Sequence, residues 1–346
     1  MTEAAAPGFA RAREAVLGRV DATAAAVGDR FPLHAGPADG RWTTTRRGSW
    51  TGGFWAGLLW IAAEASGHPA DLRRARTVTA RLLERAHDDT DTRAMTFWYG
   101  AAQGRLRCGD LDAARVARAG AEALAAAAHP RHGVVPAGTA LGRGARGANE
   151  LTVDAAAALV ALLAWAGREQ LARRQADMVR DRCLDPGGRV RAAVPLDGPA
   201  RDTPPGEWAR GQAWGVLALA TAARTLPGGD YRQAALLAAD HWLDRTGEAV
   251  PPWSFRDPDG PRDTSAAAIA AQALLDLAGI TPGPRGDSLA GAATGLLHRL
   301  VSGHLTTTGR LLDGCYDMAS GTAVAHELVW GDHFLLSALQ SLAARR

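Results

Sequence analysis

The carboxylate that stands out in this chain is Asp154. It ends the segment Asn-Glu-Leu-Thr-Val-Asp at 149–154 and begins an Ala- and Leu-rich stretch with helical periodicity. An acidic side chain beside an apolar helix face is unfavourable unless it has a partner or a function. Partial burial would raise its pKa and suit it to general acid catalysis. The alternative is an aspartate that only stabilises the N-terminal end of the helix dipole.

Aromatic and polar side chains recur where the apolar helical segments begin. The chain has 11 tryptophans against 3 tyrosines. Indole rings offer stacking surfaces to sugars and other flat ligands, while Arg and Gln side chains orient them. The candidate binding residues are Trp50, Trp55, Arg210, Gln212, Trp214, Trp253, Trp330 and His333. Two alternatives stay open: the tryptophans fill a wide core, and Arg210 pairs with Asp263 or Asp332.

Five segments, in this order, resemble the unsaturated glucuronyl hydrolases and the related unsaturated rhamnogalacturonyl hydrolases. They are Trp-Thr-Gly-Gly-Phe-Trp at 50–55, Val-Asp at 153–154, Trp-Ala-Arg-Gly-Gln-Ala-Trp-Gly at 208–215, Arg-Asp-Thr-Ser-Ala-Ala-Ala-Ile-Ala at 262–270 and Trp-Gly-Asp-His-Phe at 330–334. The resemblance extends from about residue 40 to the C-terminus.

The resemblance implies an (α/α)6 barrel that acts on oligosaccharides with a terminal 4,5-unsaturated uronic acid. In that family an Asp protonates the double bond, water adds at C5, and the resulting hemiketal opens to release the sugar. The family uses no metal and no organic cofactor. Asp154 matches the acid/base position, and Arg210 and Trp214 match positions that line the sugar pocket.

One family feature is missing, a His-Asp pair that supplies a second carboxylate at the start of the next inner helix. Alignment without gaps puts Asp91-Thr92 there, whereas alignment on Phe97 puts Ala94 in place of the Asp. We prefer the first register, because a two-residue deletion would rotate a helix face by about 200°. Asp91 is then the nearest replacement for the second carboxylate.

The same acidic segment admits two other interpretations. Residues 89–95, Asp-Thr-Asp-Thr-Arg-Ala-Met, resemble a degraded form of the Asp-x-Asp-Asp-Thr-Ala-Met motif of class II terpene cyclases. Those enzymes also protonate a carbon–carbon double bond in an α-barrel, and Asp91 would be the acid. A short acidic, Thr-rich loop is also a common N-terminal helix cap.

Helical periodicity dominates the chain and predicts the elements that position these residues. We expect helices near 8–27, 51–65, 69–87, 95–108, 111–128, 149–166, 168–183, 208–225, 230–245, 263–278, 287–301 and 328–343. Amphipathic segments alternate with segments that are apolar all round, which predicts an all-α (α/α)6 barrel in a single domain, 1–346. Gly67, Gly109, Gly167, Gly228 and Gly279 are the expected left-handed ends of inner helices.

Longer Gly- and Pro-containing loops should gather at one end of the barrel and form a pocket. They lie near 30–50, 130–148, 186–207, 246–262 and 302–326. Short hairpin strands are expected at 189–194 and 310–313.

Composition narrows the possible chemistry. All 39 basic residues are Arg, so lysine Schiff-base chemistry and a Lys-dependent phosphate loop are excluded. The net charge is +3 without a basic stripe, which gives no indication of nucleic-acid binding. There is no apolar run of membrane-spanning length and no secretory leader, and the 3 cysteines suit a reducing compartment. We expect a cytoplasmic protein.

These observations predict a glycoside hydrolase that protonates and hydrates an unsaturated uronyl sugar, with Asp154 and Asp91 as catalytic residues. The expected partner is a small-molecule substrate, with no cofactor, metal, nucleic acid or membrane. The alternatives are a homologue that protonates another alkene, as a cyclase or isomerase, and a non-catalytic carbohydrate-binding barrel.

Overall fold

Helices account for most of the computed structural model, which describes residues 5–200, 207–247 and 249–345. The α-helices are α1 (Ala5–Val27), α2 (Gly52–Ser66), α3 (Pro69–Arg81), α4 (Arg93–Thr96), α5 (Gln103–Cys108), α6 (Leu111–Ala126), α7 (Ala156–Trp165), α8 (Glu169–Met178), α9 (Ala209–Thr225), α10 (Tyr231–Thr246), α11 (Thr264–Gly279), α12 (Pro284–Gly303) and α13 (Val329–Ala344). A π-helical turn, Phe97–Ala102, joins α4 to α5, so these three pieces form one continuous inner helix.

Six inner helices form a closed ring. The order of contacts is α2, the α4–α5 helix, α7, α9, α11 and α13, and α13 packs against α2. The outer helices α3, α6, α8, α10, α12 and α1 pack in the same order on the outside. This is the predicted (α/α)6 barrel.

The difference between the two layers follows from side-chain patterning. Helix α7 (Ala-Ala-Ala-Leu-Val-Ala-Leu-Leu-Ala-Trp) is buried on all sides for most of its length, whereas α8 buries only three side chains. A helix that is apolar all round has to be covered by neighbours, whereas an amphipathic helix covers them and exposes its polar face. No helix in the described ranges is both long and apolar enough to cross a membrane.

Short strands and turns shape the loops. The strands are β1 (Phe31–Ala35), β2 (Trp42–Thr45), β3 (Glu150–Thr152), β4 (Ala193–Pro195) and β5 (Glu327–Leu328). They form two antiparallel sheets, of order β2-β1-β5 and β3-β4. Single antiparallel bridges, Leu184 to Val190 and Leu305 to Leu311, lie near the two expected hairpins. Residues 201–206 of the expected loop 186–207 lie outside the described residues.

The clearest departure from the predicted elements is at 149–155. A helix was expected from 149, but α7 begins at Ala156 and residues 150–152 form β3. Thr152 pairs with Ala193, and the Val153 N–H donates to the Ala192 carbonyl at 3.0 Å. Pairing with β4 satisfies the hydrogen-bonding groups of this backbone segment. The β-branched side chains of Thr152 and Val153 also favour the extended form.

Two of the expected glycine helix ends are present. Gly67 and Gly109 end α2 and α5 with φ of 66° and 68°. Gly167 and Gly228 also have a left-handed φ, of 79° and 74°, but Ala166 and Leu226 end α7 and α9 before them. The prediction for Gly279 is wrong, because this residue lies within α11, where φ is negative, and Ile280 ends the helix.

Candidate active site

A cavity of about 560 Å³ opens at the end of the barrel where the long loops meet. The lining residues are Arg143, Arg146, Glu150, Asp154, Ala192, Ala193, Trp208, Trp253, Tyr316, Asp317, Met318 and Ala319. Five loops were predicted to form the mouth of the pocket. Four of them contain or adjoin these lining residues. The fifth loop contributes Trp50, whose indole N–H donates to the Tyr316 hydroxyl at 3.1 Å.

Asp154 lies in the cavity wall. It occupies the turn between β3 and α7, and its side chain is half-buried. Burial raises the pKa of Asp154 above its ordinary value, although the positive charges of Arg143 and Arg210 act in the opposite direction. A carboxyl group in this position can hold a proton and present it to a ligand in the cavity.

Asp91 lies behind Asp154, in the turn that precedes α4. Its exposure is only 1%, and its N–H donates to the Ala137 carbonyl at 3.0 Å. The Thr152 hydroxyl donates to Oδ2, while Oδ1 has no hydrogen-bond partner among the described residues. Burial raises the pKa of Asp91 to about 7, and the neighbouring Asp154 carboxyl contributes to that rise.

The two carboxyl groups therefore form an interacting pair. Like-charged carboxylates in one buried site cannot both ionise easily, so such a pair retains a proton near neutral pH. One member can then donate a proton while the other accepts one. Their catalytic roles stay predictions, but both groups are present at one site.

The other acidic side chains of the same segment are engaged elsewhere. Asp88 contacts Arg47 at 3.0 Å and Arg85 at 2.7 Å. Asp89 accepts hydrogen bonds from the backbone and side chain of Thr139. Within residues 87–92, Asp91 is thus the carboxylate that faces Asp154.

The guanidinium of Arg210 is hydrogen-bonded to other groups of the protein, and Arg210 does not line the cavity. Its Nη1 donates to Asp263 Oδ2 at 2.6 Å and to the Cys315 carbonyl at 2.5 Å, and its Nη2 donates to the Tyr316 carbonyl at 2.8 Å. Of the two interpretations left open for this residue, the pairing with Asp263 is the one observed.

The side chain of Gln212 is likewise hydrogen-bonded within the protein. Its side-chain amide donates to the Gly188 and Ala238 carbonyls at 2.8 and 2.9 Å and accepts from the Val190 N–H at 2.8 Å. All of these partners are backbone groups, so the side chain joins the loop near 188 to α10. Its expected contact with a ligand is not supported by this geometry.

The predicted tryptophans divide between the cavity and the core. Trp253 lines the cavity and donates its indole N–H to Asp257 at 2.8 Å. Trp50 and Trp330 pack together behind Tyr316, with ring centroids 4.7 Å apart. Trp55 and Trp214 are buried core residues, and Trp55 packs towards α1. These two tryptophans lie in the core rather than in the cavity wall, and the apolar pattern of the sequence is the same for both locations.

His333 also lies in the core rather than in the cavity wall. Its ring packs against Phe54 and Tyr99, with centroids 5.4 and 5.6 Å away. Burial lowers the pKa of His333 to about 3, so the imidazole is neutral at physiological pH. The expected binding role for this residue does not fit its location.

Several cavity residues were not predicted as site residues. Trp208 is the first residue of the motif at 208–215 that contains Arg210, so that motif contained a signal for it. Arg143, Arg146 and Glu150 lie in or beside an irregular Gly-rich loop, where no periodicity marks a function. Among the residues that the structure describes, no group of three or more His, Cys, Asp or Glu side chains is placed to bind a metal.

Comparison with known proteins gives a consistent result. No family model matches the chain. It is 27% identical to the unsaturated glucuronyl hydrolase of Bacillus sp. strain GL1, an alignment that covers 91% of each protein. The crystal structure from that organism superposes with a TM-score of 0.88 over 96% of both chains, at 24% identity. The chain is thus similar in sequence and in fold to unsaturated glucuronyl hydrolases.

A second group of relatives shows the same similarity. The chain is 28% identical to the unsaturated chondroitin disaccharide hydrolase of Streptococcus agalactiae, covering 84% of this chain and 80% of that protein. A crystal structure of the S. agalactiae unsaturated glucuronyl hydrolase superposes with a TM-score of 0.85, at 22% identity, over 96% of this chain and 91% of the other.

Proposed function

We propose that this protein is a glycoside hydrolase that removes a 4,5-unsaturated uronyl residue from an oligosaccharide. The observation that carries the proposal is the pair of carboxyl groups, Asp154 in the cavity wall and Asp91 buried behind it. The relatives, hydrolases of unsaturated glucuronides and of unsaturated chondroitin disaccharides, support the substrate class.

In the proposed mechanism Asp154 donates its proton to C4 of the double bond, because it is the member of the pair that reaches the cavity. Positive charge then develops at C5 and the ring oxygen. Water adds at C5, and the proton that it loses is taken up by Asp91, whose buried Oδ1 has no hydrogen-bond partner among the described residues. The hemiketal opens and releases the remaining sugar, and proton transfer between the two carboxyls restores the starting state.

The test is an assay with unsaturated uronyl disaccharides, prepared by lyase digestion of glycosaminoglycans. Loss of the ultraviolet absorbance of the conjugated double bond measures turnover. We expect Asp154→Asn and Asp91→Asn each to lower turnover at least about 100-fold, the low end of acid–base contributions. Asp88→Asn is the matched control, because Asp88 pairs with Arg47 and Arg85 outside the cavity.

Two results would overturn the proposal. The first is no turnover of any unsaturated disaccharide by a folded protein, and the second is an Asp154→Asn variant within threefold of the unmodified protein. An isoprenoid diphosphate serves as the counter-substrate. Its consumption, abolished by Asp91→Asn alone, would replace hydrolysis with the cyclase alternative.

A further inference from the structure

The substrate class proposed above raises the question of which residue binds its carboxylate. That carboxylate is attached to C5, next to the carbon that Asp154 would protonate, so its partner has to be a cation near Asp154. Arg210 was the expected partner, but its guanidinium already donates to Asp263 and to the carbonyls of Cys315 and Tyr316.

Within the described ranges, two cationic side chains line the cavity, Arg143 and Arg146. Both flank Glu150, but they differ in how firmly they are held. Arg146 Nε lies 3.1 Å from Glu150 Oε1, and its side chain is 71% exposed. Arg143 Nη1 lies 3.6 Å from Glu150 Oε2, and its side chain is 26% exposed. A separation of 3.6 Å is too long for a good hydrogen bond, so Glu150 does not saturate the Arg143 guanidinium.

Arg143 is also the cation that acts on both carboxyl groups of the pair. Its charge lowers the pKa of Asp91 and that of Asp154, opposing the effect of burial, whereas Arg146 does not contribute to either. The guanidinium is therefore enclosed in the wall, incompletely bonded and close to the position where a proton would be transferred. A planar fork of N–H donors is suited to bidentate binding of a carboxylate.

We propose that Arg143 binds the carboxylate of the unsaturated uronyl group and so determines specificity for the acid over uncharged analogues. This inference rests on the proposed hydrolase function. The bound carboxylate would offset the positive charge of Arg143, and the aspartate pair would then retain its proton more firmly in the complex than in the free enzyme. Recognition of the acid group would thereby favour the protonated form that the reaction requires.

The test compares a free unsaturated uronide with its methyl ester, which lacks the negative charge. The unmodified protein should prefer the free acid in kcat/KM by about 10- to 100-fold, the range expected for paired charge-assisted hydrogen bonds. Arg143→Gln should remove that preference, mainly by raising KM for the acid, so that kcat/KM for the acid and for the ester agree within about threefold in this variant. Arg143→Lys should restore part of the preference.

Two comparison variants sharpen the result. Arg146→Gln should reduce the preference less than Arg143→Gln does, and Arg115→Gln, an exposed arginine of α6, should leave it unchanged. Circular dichroism and thermal melting check that each variant is folded. If Arg143→Gln still discriminates acid from ester, or Arg146→Gln alone abolishes discrimination, the inference is wrong while hydrolysis stands. If the unmodified protein hydrolyses neither substrate, the hydrolase proposal itself fails.

Discussion

At the scale of single residues, Asp91 is held in a position that is unfavourable for a charged group. Its carboxyl is almost completely buried and accepts a hydrogen bond from the Thr152 hydroxyl. Desolvation of an ionised carboxyl destabilises the folded protein, and active sites commonly contain such groups. This cost is avoided while Asp91 is protonated, as it is during part of the proposed catalytic cycle.

This burial predicts a pH-dependent gain in stability for Asp91→Asn. The pKa of Asp91 is about 7 in the folded protein against 3.8 for the ordinary group, so its contribution to stability falls as pH rises from about 4 to 7. The variant should be more stable than the unmodified protein at pH 8, by at most about 4 kcal/mol, and equally stable at pH 4. Urea unfolding at both pH values measures this. Asp287→Asn, at an exposed position, should show no such pH dependence, and an equal effect at both pH values for Asp91→Asn would contradict the prediction.

Thr152 gives a second prediction at this scale. Its hydroxyl stabilises the ionised form of Asp91, so Thr152→Val should raise the pKa of Asp91 further. The pH at which turnover rises on the acidic side should then move to a higher value, because Asp91 has to be ionised to accept the proton of the attacking water. Thr152→Ser retains a hydroxyl and should restore the original pH–rate profile. An unchanged profile in Thr152→Val would show that this hydrogen bond does not position the reacting carboxyl.

At the scale of elements, one arginine joins three segments around the cavity. Arg210 belongs to α9, Asp263 is the N-cap of α11, and the carbonyls of Cys315 and Tyr316 belong to the loop that carries one cavity wall. Asp263 is fully buried and also accepts hydrogen bonds from Ser265. The loop is therefore fixed to the barrel by a buried ion pair and by backbone contacts.

Removal of this arginine should lower stability strongly. Arg210→Met leaves Asp263 without its cation, and breaking a buried ion pair from one side typically costs about 3 to 5 kcal/mol. Urea unfolding at constant m-value measures the change. The exposed pair of Arg74 and Asp21 supplies the control, since Arg74→Met should cost less than about 1 kcal/mol. A weaker effect at Arg210 than at Arg74 would mean that Arg210 is not the anchor of the loop.

At the scale of the whole molecule, closure of the ring depends on close helix contacts beside α2. A Cβ atom at Gly57 would lie 2.2 Å from the Tyr99 carbonyl oxygen and 2.6 Å from the His333 ring. Tyr99 belongs to the α4–α5 helix and His333 to α13, which are the two inner helices beside α2. Gly57 therefore lies at the contacts of α2 with both of its neighbours in the ring. Backbone cannot yield to an added methyl group as a flexible side chain can.

Gly57→Ala should therefore destabilise the protein despite the better helix propensity of alanine. Overpacking in a tight core typically costs about 1 to 3 kcal/mol, which outweighs the gain of up to about 1 kcal/mol from propensity. Gly291→Ala is the matched control, because Gly291 lies in α12 with nothing within 4 Å of an added Cβ. Thermal melting should move in opposite directions for the two variants, and a stabilised Gly57→Ala would show that α2 can move apart from its neighbours.

The sequence by itself determined the barrel and the two carboxylates. Helix positions could be predicted because the spacing of apolar residues is local, and the alternation of amphipathic with fully apolar segments specified two layers. Asp154 could be found as an acid beside an apolar helix, and Asp91 by register alone, since a two-residue shift would have rotated the helix. The helix start near 149 was wrong because pairing of β3 with β4 is a long-range interaction.

Only the tertiary structure decided which side chains face the cavity. An inner helix is buried all round, so its periodicity does not distinguish a residue in the core from one in the cavity wall. For that reason Trp55, Trp214 and His333 were expected at the ligand and lie in the core. The cavity wall comes instead from loops such as those of Arg143 and Tyr316, which lie far apart in sequence. Their approach depends on ring closure and on Arg210, neither of which a local pattern contains.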